Sequence, residues 1–314
     1  MNRAMTALGG AIGTCCSIGP ALAQDQGFDP AQTNRTPVVR LAPTNAISPS
    51  SGTSTVSPSS VPQAMDRLYS GRPRADFSLG GSYAAGRFGT DATTSIWSSA
   101  LAARLHLGDL TLSASLPWMR LRSRSTVFTT IDSTPVLVAR NTSAVQRTNS
   151  GFGDLTLGAS YTIAPPSSPV ELQVSGRAKI ATATERSGLS SGKNDYAVGG
   201  DVSVPLERFT PFVSLTYRFL GDTSVYRLRD GPAASAGASY KLASNTFLVG
   251  SYHYARAATR LVPDAHELFA GVSTRLPASP LRLTGFATAG LSQGAPGASA
   301  GLALSVGFGN RDGR

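Results

Sequence analysis

Three histidines, His106, His253 and His266, are the side chains of this 314-residue sequence best suited to move a proton near neutral pH. A Ser-His nucleophile pair needs a serine and an orienting carboxylate within reach of the imidazole. None of the three has either at a recognisable motif spacing. Asp264, His266 and Glu267 lie close together, but alternation along a strand sends the adjacent His266 and Glu267 to opposite faces, which argues against a shared metal. GLSSGKN (188–194) falls one residue short of a phosphate loop and ends in Asn194 where Ser or Thr would bind magnesium. GFGDLTLG (151–158) has the wrong glycine spacing for a dinucleotide site. No catalytic residue, cofactor or metal ligand is therefore assigned, and an enzyme is not expected.

Charge is the chemistry that remains. The chain carries a net +10 with a pI near 10.1. Arg120, Arg122 and Arg124 continue the every-second-place row of Leu116 and Trp118, and Arg140 and Arg147 follow in a segment whose one acid is Asp132. Such a row suits the phosphates of lipopolysaccharide through bidentate guanidinium contacts, or else it is a solvated loop. A second set, Arg104, His106, Glu171, Arg177, Lys179, Asp201, Arg218, Glu267 and Arg275, sits between apolar residues at strand spacing. On the inside of a barrel these groups would line a pore. They would act as paired braces that partly plug it, as an eyelet favouring anions or polar aromatics, or as both.

The elements that must place these groups are strands. In GFGDLTLGASYTI (151–163), Leu155, Leu157, Ala159, Tyr161 and Ile163 alternate with polar residues. The same period marks twelve segments, near 75–86, 93–107, 110–120, 153–163, 170–182, 195–205, 210–220, 230–241, 246–257, 265–276, 281–291 and 298–308. One face of each is free of charge: Trp97, Leu101 and Leu105, or Leu172, Val174 and Ile180. A Lys or Arg on a lipid face at mid-depth costs about 2–4 kcal/mol, so a one-residue slip is heavily penalised. Connections alternate between tight turns (108–109, 164–169, 205–208, 242–245, 278–280) and longer loops, of which 121–152 is the longest. Aromatic residues gather near strand ends, as at two membrane interfaces. A soluble barrel or sandwich shares the alternation but explains neither feature. The expected fold is an all-β, transmembrane, antiparallel up-and-down barrel of about twelve strands.

The first residues add an address. Residues 1–23 have an early Arg3, an uncharged stretch, Gly19-Pro20 and an Ala21-Leu22-Ala23 cleavage site, which together indicate a signal peptide. Cys15 and Cys16 fall within it, leaving no thiol in the exported chain. Residues 24–70 include a run (41–62) without charge and nearly without bulky apolar residues; a disordered periplasmic tail is expected. Residues 71–314 make the barrel, and export sets nucleic acid aside as a partner.

SGFGDLTLGASYTI (150–163), LSASLPWMRL (112–121), SGLSSGKNDYAVGGDVSVPL (187–206) and SLTYRFLGDTSVYRLRDGPAASAGASYKL (214–242) resemble segments of the outer-membrane family named for the meta-pathway of phenol degradation. The resemblance runs over about residues 75–308 and implies a transporter-like barrel for small, aromatic compounds; it transfers a context and no catalytic residue. The expected function is an outer-membrane channel for passive passage of small molecules, aromatic compounds or acids among them. The alternative is a structural or surface-interaction barrel without transport. Expected partners are outer-membrane lipid and lipopolysaccharide, a small-molecule solute, and the outer-membrane assembly machinery, which would read a last strand ending in Phe308.

Overall fold

Alternation without charge on one face resolves into antiparallel strands in the computed structural model, which describes residues 74–309 apart from 89, 91, 132–133, 140–144, 166–167 and 224. The expected signal peptide and tail, with Arg140 and Asp132, lie outside the described residues. The strands are β1 (Arg74–Gly86), β2 (Thr94–Leu107), β3 (Leu110–Ser123), β4 (Thr126–Thr129), β5 (Pro135–Ala139), β6 (Arg147–Phe152), β7 (Leu155–Ile163) and β8 (Glu171–Ile180). They continue as β9 (Asp195–Ser203), β10 (Phe209–Phe219), β11 (Gly231–Ala243), β12 (Thr246–Ala255), β13 (Ala265–Arg275), β14 (Leu281–Gly290) and β15 (Ala298–Phe308).

Pairing runs β1–β2–β3–β7 and then strand to next strand from β7 to β15, and β15 returns to β1, so the sheet closes; β6, paired with β3 alone, leaves one short edge. β6 and β7 together oppose β3, which makes twelve staves. With an even number of staves, both ends of the sheet, Ala75 and Phe308, lie side by side at the tight-turn end. The tightest of these turns joins Leu107 to Leu110, where Gly108 adopts φ 64°, a left-handed conformation that two-residue hairpins need.

Burial alternates as the charge pattern requires. Leu101, Leu215 and Leu302 are exposed on the outside, and their neighbours Ala102, Ser214 and Ala303 are buried within. Exposed rings form two belts. Tyr83 opposite Trp97, Trp118 opposite Phe152 and Phe219 opposite Tyr196 lie toward the loop end; Phe209 opposite Tyr240, and Phe77 against Phe308 with ring centroids 6.0 Å apart, lie toward the turn end.

One stave is broken. β3 pairs Ser115 with Thr156 but Trp118 with Phe152, so one extra residue bulges opposite Pro117, which has no N–H for the ladder. Gly153 N donates to Pro117 O at 2.8 Å instead. A Cβ on Gly153 would come within 2.5 Å of Met119 Cε and 3.1 Å of Pro117 Cγ, so a side chain there would displace its neighbours.

The segment expected to be a long open loop (121–152) is largely structured. β3 runs on to Ser123, β6 pairs with that extension, and between them β4 and β5 form a separate hairpin. Pro135, Val136, Leu137 and Val138 are all buried. A segment covered on both sides loses the two-residue period, so alternation could not reveal it.

Candidate functional site

The barrel mouth at the loop end is where the buried apolar residues gather. On one side of the hairpin, Val127 and Leu137 pack with Ile96, Met119, Leu121 and Leu189. On the other, Phe128, Ile131, Val136 and Val138 pack with Ala197, Leu220, Leu228 and Ala258. The hairpin is therefore clamped against β2, β3, β9 and the loops after β8, β10 and β12. Hydrogen bonds add to this: Thr129 N donates to Leu189 O at 3.1 Å, and the Thr259 hydroxyl donates to Leu137 O at 2.8 Å.

Beneath the hairpin sits a buried ion cluster. Lys179 Nζ, at the outer end of β8, lies 3.0 Å from Asp154 Oδ2, 3.1 Å from Asp195 Oδ2 and 3.1 Å from Ser191 Oγ. The three ionic side chains are 2%, 3% and 0% exposed. Asp154 leaves the bulge pointing inward, where it also accepts from Ala183 N at 2.9 Å and from the Ser190 hydroxyl. Asp195 accepts from Ile131 N in the hairpin and from Gly221 N after β10, each at 2.9 Å. One lysine thus ties β7, β8, β9, the β8–β9 loop and the hairpin together. The cost of burying these groups is offset in part because each carboxylate touches the ammonium and accepts further hydrogen bonds, with one cation serving two acids.

The other expected lumen residues all take the inward parity. Arg104 stands opposite Asp76 near the turn end, and His106 puts Nε2 3.0 Å from Asp76 Oδ2 and Nδ1 3.0 Å from Thr111 Oγ1. Glu171 faces Ser203, Arg177 lies between Gly158 and Ala197, and Asp201 accepts from Ser214 Oγ. Arg218 donates from Nη2 to Arg256 O at 2.7 Å near the mouth. Glu267 stands opposite His253, and Arg275 stands opposite Arg282, a basic pair at the turn end. Ser and Thr fill many of the remaining inward places, with Ser273–Thr284 and Thr288–Ser299 contacts at 2.9 and 2.6 Å, and Ala, Gly and a few rings such as Phe212, Phe269 and Phe286 fill others.

Two histidines find partners that motif spacing did not reveal. Ser251 Oγ and His253 Nε2 lie 2.9 Å apart, two places along the same inward face of β12. Residues 247–255 are laddered on both sides, so their N–H groups are committed to the sheet and offer no oxyanion hole. The pair is a satisfied buried imidazole. His266 faces outward with Tyr252 and Tyr254, as its parity demands. Nearby, in the loop before β13, burial works against the Asp264 carboxylate. Hydrogen bonds from Ala257 N (2.9 Å) and Tyr254 OH (2.7 Å), with Arg229 and Arg256 close by, outweigh burial and hold its pKa below the ordinary value.

Outside the mouth, Arg120 stands across from Trp97 and Ser150, and Arg122 across from Ser95 and Thr148; both point outward above the Trp118–Phe152 belt. Arg122 Nε donates to Gln146 Oε1 at 2.9 Å. Arg124, just past β3, borders a cleft of about 800 Å³ between the hairpin and the inner side of the β3–β6 wall. Sequence reasoning missed Asp154 and Asp195 as cluster members. The inward parity of Lys179 and its two acids was the signal, but nothing in the sequence joins the three.

A charge-free girdle, two aromatic belts and a hydrophilic interior capped by a folded-in hairpin define a transmembrane β-barrel of the outer-membrane type. The family model described as "Putative MetA-pathway of phenol degradation" matches residues 73–266, more than half of the chain, and the protein belongs to that family. Among solved structures, an outer-membrane channel from Pseudomonas putida F1 is similar, with 14% identity over 76% of this chain and 96% of that one and a TM-score of 0.55. The Pseudomonas putida toluene transporter TodX gives 8% identity over 84% and 95% of the two chains, with a TM-score of 0.39. No curated protein sequence matches the chain.

Proposed function

We propose that the protein is an outer-membrane channel for passive passage of small molecules, aromatic compounds or acids among them. The observation that carries this reading is the contrast between the two sheet faces: an interior that holds the ionisable residues of the strands and many Ser and Thr, beside Phe212, Phe269 and Phe286, behind an exterior without charge in the bilayer zone. The family's name places its members beside phenol degradation, which supports an aromatic solute. The Asp76, Arg104 and His106 group near the turn end and the Lys179 cluster near the mouth would set what passes. In this reading the β4–β5 hairpin closes the mouth and must move, or be bypassed, for a solute to enter. No residue is given a catalytic role.

The remaining partners follow from placement. Export uses the signal peptide at residues 1–23, cut after Ala23. Phe308, exposed at the end of β15, serves the assembly machinery. Arg120 and Arg122 meet lipopolysaccharide phosphates at the headgroup level, with Arg124 at the rim between that face and the cleft.

A second reading, a structural barrel without transport, draws on the buried ion cluster and the tightly packed hairpin, which brace the mouth. Conductance of the refolded chain in planar bilayers separates the two. Discrete, salt-dependent steps support the channel; silence across salt and voltage, in the intact chain and in one lacking residues 126–139, refutes it.

A further inference from the structure

The cleft at the outer mouth has a chemistry of its own. One wall is the inward side of the β3–β6 extension, contributing Arg147 and Asn149; the opposite side is the hairpin with Phe128; the short 3₁₀ turn Glu185–Ser187 and Tyr226 complete it. Its volume of about 800 Å³ lies within the range of small-molecule pockets, roughly 300–1,000 Å³. Arg124, Arg147 and Arg186 border it, all exposed to solvent, and Glu185 is its one acid among the described residues. Its apolar lining joins Leu121, Val127 and Val225 to two rings: Phe128 is fixed in the core cluster beneath, and Tyr226 packs on it with ring centroids 6.4 Å apart at 58°.

We propose that this cleft is a capture site for small aryl carboxylates arriving from outside the cell. Guanidinium forks match a carboxylate with two parallel hydrogen bonds, and their planes also stack on an aryl ring. Tyr226, partly buried and braced from below by the buried Phe128, offers its ring to that aryl group. An excess of positive charge in a concave site also concentrates anions ahead of binding. The residues that hold the ligand are partly those that hold the gate, since Val127 and Phe128 border the cleft while Ile131 of the same hairpin is bonded to Asp195. The biological role, capture before passage, rests on the channel reading; the binding itself does not.

The test uses the refolded full-length chain in lipid vesicles, with benzoate as the probe and benzyl alcohol, acetate and inorganic phosphate as comparators. Equilibrium dialysis reads binding, and planar-bilayer current reads block from the loop side. Saturable benzoate binding that exceeds all three comparators is expected. Arg147→Gln and Arg186→Gln should each weaken it about tenfold, as expected for loss of a charge-assisted contact. Arg208→Gln, at the turn end, should leave it unchanged. Heat-modifiable gel migration verifies that each variant is folded. Equal binding of acetate or phosphate overturns the aromatic part of the proposal, and benzoate binding insensitive to both cleft arginines overturns the site. Conductance without benzoate binding removes the capture site and leaves the channel standing. Benzoate binding without conductance in any condition keeps the site and removes the channel.

Discussion

Replacing Lys179 by Met keeps the length of the side chain and deletes the ammonium that sits 3.0 and 3.1 Å from two carboxylates. Asp154 and Asp195 would be left facing each other almost fully out of water, and removing one partner of such a buried set costs about 3–5 kcal/mol. At 1.4 kcal/mol per factor of ten that is a shift of roughly a hundredfold to several thousandfold in the local equilibrium. The cheapest escape is outward swinging of the hairpin, because Asp195 is its polar tether through Ile131 N. A cysteine at Ile131, which is 0% exposed, reports that motion. Labelling of Ile131→Cys by a charged maleimide should be slow in the parent and at least about a hundredfold faster with Lys179→Met. Adding Asp195→Asn should bring the rate part of the way back by removing a stranded charge. A labelling rate within a few-fold of the parent and an unchanged melting temperature would refute the latch.

Four other outcomes follow from the same geometry. Leu157→Arg or Val174→Arg, on the exposed outer face, should each destabilise the folded barrel by about 2–4 kcal/mol in urea titrations in vesicles, whereas Ser160→Arg, inward, should cost less. Gly237→Ala should lower folding yield, because a Cβ would lie 2.3 Å from Gly250 O and 2.5 Å from Ser251 Cβ; overpacking of this kind costs about 1–3 kcal/mol, read by heat-modifiable migration. Asp264 has a folded pKa below its unfolded value, so its contribution is fully present above the ordinary carboxylate pKa of about 4 and is lost as pH falls through the lower folded value. Melting of Asp264→Asn should accordingly fall less steeply with acid than that of the parent. Arg120→Gln with Arg122→Gln should reduce lipopolysaccharide co-purification and leave conductance unchanged; equal co-purification would place both arginines in plain solvent.

Twelve staves were legible in the sequence, eleven to within a few residues and the fourth in its β7 part alone, because a lipid-facing side cannot hold a charge and the period of two is then enforced along each strand; β6 fell in the expected loop. The inward parity of Arg104, Glu171 and Lys179 was legible for the same reason. The hairpin was not. Thr126–Thr129 and Pro135–Ala139 are short and covered on both sides, so they carry no alternation. The cluster was half legible: Lys179 and Asp195 share a face on neighbouring strands, but Asp154, though of inward parity, lies just before β7 where the ladder to β3 breaks at the bulge opposite Pro117. Ser251 and His253 show the converse case. Two places apart on a strand is contact, though it is not a motif.

The chain has two tryptophans, Trp97 and Trp118, both on the outer face near the loop end, and they report directly on which face meets lipid. The measurement is their fluorescence in vesicles containing acyl chains brominated at defined depths, compared with quenching by aqueous iodide. Strong quenching by bromines close to the headgroups, with little effect of iodide, is the result expected if the charge-free face lies in the bilayer and the ionisable face in the bore. Full access to iodide with no response to brominated chains would show the faces to be reversed.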